Sequence, residues 1–255
     1  MSEHFIEEKS LSLAWGRAVR TVSEPGRKEL APLIVTITGF DAHDAPVETP
    51  SIRGALDAFL AANGRQSVET VASTIFPYHM RNQGENRQTL YDRYLRILPR
   101  LRAASNKNRH GIYFERIITG GPDDHPNQLE FVIAAYCSRN EVRRSMLQIG
   151  VFNPKLDVTS AALRGFPCLQ HITLAPVGET LTVNAFYATQ YMVERAYGNY
   201  LGLCRLARFA SKEMNLRLSR VTCYSGIAML DGSKGKLASI LSAVNQATPV
   251  AGAMR

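Results

Sequence analysis

The amino-acid sequence predicts an α+β fold in a single domain, residues 1–255. Segments with a helical spacing of apolar residues alternate irregularly with β-branched runs, a pattern that disfavours a doubly wound parallel sheet. After Cys168, two strand-like runs follow one another with hairpin-like spacing. The chain has 255 residues, of which 45% are hydrophobic, so it can bury a substantial core without a second domain.

The first half of the chain predicts three helices and one strand. The helices are Ser10–Val22, Ser51–Ala62 and Gln88–Ala104, and the strand is the β-branched run Leu33–Gly39. Ser51 is the expected N-cap of the second helix, since serine side chains accept hydrogen bonds from the first turn. Residues 67–72 have no clear assignment.

The second half supplies most of the predicted strands. They are Gly111–Ile118, Arg144–Phe152, the two runs after Cys168, and Arg220–Met229. Two helices are expected between them, Asn127–Ser138 and Tyr191–Asn215. In the longer helix, Gly198 and Gly202 are spaced for close backbone packing. The tail from Asp231 ends in small residues and is expected to be partly mobile.

Charge narrows the classes of partner. Lys and Arg number 30 against 22 Asp and Glu, which gives a formal net charge of +8. The arginines are scattered and no nucleic-acid-binding motif accompanies them, so we expect no nucleic-acid partner. A site for a small phosphorylated ligand explains the basicity as well, because guanidinium binds phosphate in bidentate geometry.

Cysteine usage and hydropathy indicate a compartment. The four cysteines are widely spaced and form no Cys-x-x-Cys pair, which argues against a zinc site or a disulfide scaffold and suits a reducing cytoplasm. No apolar run approaches the ~20 residues that a membrane span needs. The first ten residues lack a signal-peptide core. We therefore expect a cytoplasmic protein with no metal and no membrane partner.

Cys168 is the strongest candidate for chemistry. It directly follows Pro167 and precedes a β-patterned run, so its thiol is held by the backbone rather than by a free loop. A thiolate is a suitable nucleophile for an electron-poor carbon, and it needs a depressed pKa or a nearby positive charge. A lone cysteine at the start of a strand is more often a buried small hydrophobe, so the neighbouring motifs decide between the two interpretations.

Several motifs stand around this cysteine in a fixed order. Thr74-Ile-Phe-Pro-Tyr-His-Met-Arg81 is similar to a Ser-Ile-Phe-Gly-x-x-Met-Arg strand, and Gly111-Ile-Tyr113-Phe-Glu-Arg116 to a Gly-x-Val-Tyr-Gly-x-x-Trp-Arg segment. Next come Asn127-Gln128-Leu129, the pair Arg143-Arg144, Phe152-Asn153-Pro154, and Pro167-Cys168 with Asn199 further on. These motifs resemble the thymidylate synthase and pyrimidine nucleotide hydroxymethylase family over about residues 64–229.

The resemblance implies a thymidylate synthase-like fold whose mixed sheet forms a dimer interface and is flanked by helices. A homodimer acting on a pyrimidine nucleotide is the corresponding expectation. Cys168 would add to C6 of the base, which makes C5 nucleophilic. Tyr113 would orient the water that moves protons at the ring, and Asn199 would hydrogen-bond the base edge. Packing alone for Tyr113, and a bond to a neighbouring carbonyl for Asn199, are the structural alternatives.

The resemblance also implies how the 5′-phosphate is bound. Arg143 and Arg144 would reach it in the partner subunit, and Arg65 is the candidate for an arginine on a mobile loop. The alternative for the adjacent pair is a solvated strand start or dimer salt bridges. His171 is expected on the opposite strand face from Cys168, since side chains alternate along a strand.

The implied reaction is one-carbon transfer to C5, either methylation or hydroxymethylation, with 5,10-methylenetetrahydrofolate as donor. The chain departs from the family at several places. Leu169 stands where a histidine follows the cysteine, Tyr187–Tyr191 lacks the arginine and aspartate of Gln-Arg-Ser-x-Asp, and Ile227–Met229 lacks the His-x-Tyr pair. Phosphate and base contacts are thus partly kept, whereas sugar and most folate contacts are lost.

These departures keep two alternatives open. One is a non-catalytic nucleotide-binding or scaffold protein that retains the fold, and the other is a folate-independent nucleotide-processing enzyme. The interval between the Phe76 and Tyr113 segments is also shorter than in the family, so the family's catalytic glutamate has no clear counterpart here. Four side chains are candidates to replace it: Glu69, Asp92, Glu115 and Glu194. The other three cysteines are expected in the core: Cys137, Cys204 and Cys223.

Overall fold

Seven strands in the described part of the chain form one mixed sheet. The structure is a computed structural model and describes residues 4–138, 141–161, 165–232 and 234–248. The strands are β1 Phe5–Glu8, β2 Glu29–Leu30, β3 Leu33–Ile37, β4 Gln148–Gly150, β5 Leu169–Val177, β6 Thr180–Tyr191 and β7 Arg217–Met229. Their order across the sheet is β1-β3-β7-β6-β5-β4, and β2 pairs with β7.

Both strand orientations occur in this sheet. β1 runs parallel to β3 and β6 runs parallel to β7, whereas the β3–β7, β5–β6 and β4–β5 pairs are antiparallel. β5 and β6 form the hairpin that the sequence predicts, and Gly178 in its turn has a φ of 55°, a conformation that favours glycine. The predicted α+β class with a mixed sheet is confirmed.

Helices connect and flank the strands. They are α1 Leu11–Val22, α2 Pro50–Ala62, α3 Val68–Ile75, α4 Arg87–Ala103, α5 Tyr113–Thr119, α6 Gln128–Cys137, α7 Pro154–Asp157, α8 Tyr197–Glu213 and α9 Ala238–Ala247. A π-helical turn, Met192–Ala196, joins β6 to α8. None of the helices in the described ranges combines the length and apolarity needed to cross a membrane.

The predicted strand Gly111–Ile118 is wrong, because this segment forms α5. Its apolar residues Phe114, Ile117 and Ile118 are all buried, and their i, i+3, i+4 spacing is helical rather than alternating. Glu115 also accepts a hydrogen bond from the Ile112 N–H at 3.3 Å, which satisfies a donor at the start of the helix.

Three other local predictions need correction. Thr74–Arg81 is not a strand, since α3 runs to Ile75 and a 3₁₀ turn follows. Within Arg144–Phe152 only β4 is extended, and a 3₁₀ turn precedes it. Thr49, not Ser51, is the N-cap of α2, because Pro50 with its fixed φ suits the first helical position.

The tail is more ordered than expected up to Ala247. Ile240 and Val244, one turn apart on α9, are buried, and α9 packs against α1 and α2. This helix escaped prediction because most of its remaining residues are small or polar. Residues 249–255, which include the small terminal residues, lie outside the described ranges.

α8 lies on the sheet and packs closely against α3. A Cβ at Gly198 would lie 2.5 Å from Val71 Cβ, and one at Gly202 would lie 2.7 Å from the Ala72 carbonyl oxygen. The predicted close packing at these glycines is confirmed. This close packing places the first turn of α8 between α3, the sheet and the Cys168 segment.

α1 and α8 pack against one face of the sheet. On β6, the side chains that point to that face are buried, whereas Asn184, Phe186 and Ala188 on the other face are exposed. Phe186 stacks on Tyr224 of β7 with ring centroids 5.3 Å apart. Aromatic side chains therefore lie exposed on a sheet face in this single chain.

Candidate active site

A cavity of about 510 Å³ lies beside the N-terminal turn of α8. Its walls come from the segment between α2 and α3, the loop before α5, residues 165–168, the end of β6, and α8. Cys168, Tyr113 and Asn199 all line it. Three of the predicted site residues, far apart in sequence, are thus brought to one concave space of ligand size.

Cys168 lies directly before β5 and lines this cavity. Its carbonyl oxygen accepts a hydrogen bond from the Ala188 N–H at 3.0 Å, so the backbone that carries the thiol is anchored to β6. Burial raises the pKa of the Cys168 thiol, while the Arg195 charge and a hydrogen bond with Tyr113 act against that rise. The thiol is therefore mostly protonated at neutral pH, contrary to the depressed pKa that a nucleophile needs.

Tyr113 lies beside the thiol. Its ring stacks on Phe166 with centroids 5.2 Å apart, and its hydroxyl accepts a hydrogen bond from the Leu169 N–H at 3.5 Å. Burial raises the pKa of the Tyr113 phenol, so the hydroxyl keeps its proton and can donate it in a hydrogen bond. The phenol is packed and also borders the cavity.

Asn199 comes from the first turn of α8. The residue is only 4% exposed, and its amide forms no hydrogen bond with any residue in the described ranges. The structural alternative for Asn199 was a hydrogen bond to a neighbouring carbonyl, and the described residues show no such bond. A buried amide that faces a cavity and has unused donors and an unused acceptor can hydrogen-bond the polar edge of a ligand.

Arg195 is a lining residue that the sequence patterns did not single out. It sits on the π-helical turn, and its Nη1 donates to Gln66 Oε1 at 2.5 Å. The Asp231 carboxylate accepts from the Val193 and Glu194 N–H groups at 2.7 and 2.8 Å, which fixes the start of this turn. The turn thus holds a guanidinium close enough to lower the pKa of Cys168.

Three predicted phosphate ligands lie elsewhere. Arg65 Nε forms an ion pair with Glu194 Oε1 at 3.0 Å, and its side chain is 49% exposed. Arg143 and Arg144 are exposed and do not line the cavity of their own chain. Their predicted role in a partner subunit stays a prediction.

Of the four candidate carboxylates, Glu194 lines the cavity. Glu69 is held by Arg53 and Arg205, and Glu115 by Arg102. His171 does not line the cavity, and its Nε2 lies 2.7 Å from Gln148 Oε1.

The other cysteines divide between core and surface. Cys204 and Cys223 are buried as expected, but Cys137 is exposed, because it lies at the C-terminal end of α6. The described residues contain no cluster of three His, Cys, Asp or Glu side chains suited to a metal ion.

The loop before α5 also faces the cavity. Lys107, Arg109 and His110 line it together with Asn106 and Asn108. No periodic pattern marks these residues, and only a cluster of basic side chains next to the Tyr113 segment could have indicated them.

Comparison with known proteins adds no family to these observations. No protein-family model matches the chain, and no curated protein matches its sequence.

Proposed function

We propose that the cavity binds a pyrimidine nucleotide and that Cys168 adds to C6 of the base, in a thymidylate synthase-like enzyme that transfers a methyl or hydroxymethyl group to C5. The observation that carries this proposal is the convergence of a thiol, a phenol and a buried amide on one cavity. Nucleophile, proton carrier and base-edge ligand are the parts that such an addition requires.

The proposed reaction is addition of the Cys168 thiol to the base, followed by its elimination. The Cys168 thiol gives its proton to water, its sulfur forms a bond to C6, and the C5–C6 π electrons move toward C5 and the substituent on C4. Water ordered by the Tyr113 hydroxyl protonates C5, the original C5 proton leaves to water, and elimination of the thiolate restores the base. Asn199 holds the base edge during these steps. The net change is exchange of the C5 hydrogen with solvent, which requires no donor.

Arg195 supplies the positive charge that the addition needs. Its guanidinium opposes the rise in the Cys168 pKa that burial causes. An opposite charge nearby favours the ionised form of a thiol. Arg143 and Arg144, by contrast, do not line the cavity of their own chain.

The one-carbon donor, 5,10-methylenetetrahydrofolate, is implied by the resemblance alone. The amino-pyrimidinone edge of a pterin suits a carboxylate partner. Glu194 is the only carboxylate among the described residues that line the cavity, and it is already paired with Arg65. The lining therefore does not fit the folate, and the addition of Cys168 to C6 does not involve it.

The proposal includes a homodimer of thymidylate synthase-like architecture. Support comes from the exposed aromatic side chains Phe186 and Tyr224 on the sheet face opposite α1 and α8. Exposed apolar patches of this kind mark interaction surfaces. We expect the chain to sediment as a dimer and Phe186→Glu to sediment as a monomer; a monomeric unsubstituted protein would contradict this part of the proposal.

A second candidate is nucleotide binding without turnover. The observation that favours it is the raised pKa of Cys168, which leaves little thiolate at neutral pH. The same cavity would then recognise a nucleotide through Asn199 and the basic side chains alone.

Release of tritium from C5 separates the two candidates. We expect the protein to release tritium from at least one of dUMP, UMP, dCMP and CMP labelled at C5. Cys168→Ala abolishes the release, whereas Cys137→Ala, which removes an exposed thiol, leaves it unchanged. Stimulation by methylenetetrahydrofolate would assign the folate donor. Binding without any release from the four nucleotides would instead support the non-catalytic candidate.

A further inference from the structure

The cavity carries more positive charge than the predicted site residues explain. Lys107 and Arg109 line one wall and Arg195 lines another. Within the described part of the chain, none of the three forms an ion pair with a carboxylate. By contrast, the charge of Arg65 is partly neutralised by Glu194 at 3.0 Å.

The loop that carries Lys107 and Arg109 is held in place from behind. Asn108 Nδ2 donates to the Leu101 carbonyl oxygen at 2.7 Å, and Arg116 Nη2 donates to the His110 carbonyl oxygen at 3.3 Å. Arg116 is in turn paired with the buried Asp157 at 3.0 Å. The loop is therefore organised before any ligand arrives, which lowers the entropic cost of binding.

Gly111 closes the loop and permits this arrangement. Its φ is 126°, in a region that side chains rarely adopt. A Cβ at this position would lie 3.1 Å from both Arg116 Nε and Phe166 Cε1. The glycine thus lets the basic loop approach the aromatic side chain next to the Cys168 segment.

Arg109 is oriented by its neighbour. Its Nε donates to His110 Nε2 at 2.9 Å, and its two terminal nitrogens make no hydrogen bond to a described residue. Terminal guanidinium nitrogens in this state suit the oxygen atoms of a phosphoryl group.

We infer that Lys107, Arg109 and Arg195 form an anion subsite that binds the phosphoryl group of the nucleotide from within one chain. This inference rests on the proposed function, and it replaces the expectation that phosphate recognition depends on Arg143 and Arg144 of a second subunit. The base and the phosphate are then both bound by one chain.

Isothermal titration calorimetry with UMP, uridine and inorganic pyrophosphate tests the subsite. We expect UMP to bind at least tenfold more tightly than uridine, and pyrophosphate to compete with UMP. The double variant Lys107→Ala/Arg109→Ala should lose at least tenfold in UMP affinity and leave uridine affinity unchanged. Circular dichroism checks that the double variant is folded.

A charge-matched control is available on α4. Arg96 and Arg100 are exposed and do not line the cavity, so Arg96→Ala/Arg100→Ala removes the same charge without touching the subsite. An equal loss of UMP affinity in this control, or a loss confined to Arg143→Ala/Arg144→Ala, would overturn the inference.

The outcome is separable from that of the enzymatic proposal. Failure of tritium release with intact, Lys107- and Arg109-dependent UMP binding would reject the chemistry and keep the subsite. Tritium release with equal affinities for UMP and uridine would reject the subsite and keep the chemistry. Binding of neither UMP nor pyrophosphate would reject the subsite as well.

Discussion

Two cavities of the same volume differ in whether the polar groups that line them are paired with other side chains. The second, also about 510 Å³, lies between α4 and α6 and is lined by Tyr91, Leu95 and Phe131 among others. Its carboxylate Glu130 is held by Arg87 through two bonds of 2.7 and 2.8 Å. In the Cys168 cavity, the Asn199 amide and the Lys107 ammonium have no such partner in the described ranges. Polar groups free to meet a ligand, rather than volume, distinguish a candidate site.

The free energy of unfolding should respond most strongly to loss of the ion pair behind the Cys168 cavity. Arg116 and Asp157 are paired at 3.0 Å with side chains 9% and 1% exposed. Removing one partner of such a buried pair costs about 3–5 kcal/mol, because it leaves a buried charge. Asp157→Ala should lower the free energy of unfolding by this amount in urea denaturation.

Arg87 and Glu130 provide the matched comparison. Their side chains are 26% and 30% exposed, and pairs near the surface contribute about 0–1 kcal/mol. Glu130→Gln should therefore change the free energy of unfolding far less than Asp157→Ala. If the two variants lost the same free energy of unfolding, the buried Arg116–Asp157 pair would contribute no more to stability than the Arg87–Glu130 pair, contrary to this prediction.

The next effect concerns the helix that carries Asn199 into the site. Gly198→Ala places a Cβ 2.5 Å from Val71 Cβ, and overpacking of this kind costs about 1–3 kcal/mol. Gly54→Ala on α2 meets nothing within 4 Å and should stabilise the protein by about 0.5–1 kcal/mol, since alanine favours helix. Thermal unfolding should show a lower Tm for Gly198→Ala and a higher Tm for Gly54→Ala. A higher Tm for Gly198→Ala would contradict the close packing of α3 and α8.

A smaller effect tests the charge beside the thiol. Burial raises the pKa of Cys168 and Arg195 lowers it, so Arg195→Met should raise the pKa further. Less thiolate is then present at any given pH, and alkylation of Cys168 by iodoacetamide should slow severalfold at pH 8. Its pH profile should shift toward alkaline pH, as followed by peptide mass spectrometry.

The corresponding change at the other cavity is Arg87→Met. Arg87 is paired with Glu130 and Glu213 and does not line the Cys168 cavity, so the alkylation profile of Cys168 should stay unchanged. Identical profiles for Arg195→Met and the unsubstituted protein would remove Arg195 from the proposed chemistry.

Local patterns were enough to predict much of the fold. α1 and the β5–β6 hairpin follow from helical spacing and from alternation along the chain, since each buries one face of its own element. α5 was missed because its β-branched residues Ile117 and Ile118 favour a strand by composition, although the spacing of its apolar residues is helical. Length did not decide between them, and the tertiary contacts of Phe114 and Ile117 did.

The site was only partly predictable for the same reason. Cys168, Tyr113 and Asn199 were found through ordered motifs, and the structure places them around one cavity. Arg195 was missed because it lies on a π-helical turn, where an extra residue per turn changes which side chains face inward. Lys107 and Arg109 sit on a loop, whose direction depends on contacts with Arg116 and Leu101 rather than on a sequence period.

Protection of Cys168 from alkylation by a bound ligand would show directly whether this cavity binds a pyrimidine nucleotide. Cys137 is exposed and Cys168 lines the cavity, so both thiols can be followed in one sample by peptide mass spectrometry. Saturating UMP or CMP should slow the alkylation of Cys168 at least tenfold and leave that of Cys137 unchanged. Equal rates at Cys168 with and without dUMP, UMP, dCMP and CMP would contradict the account.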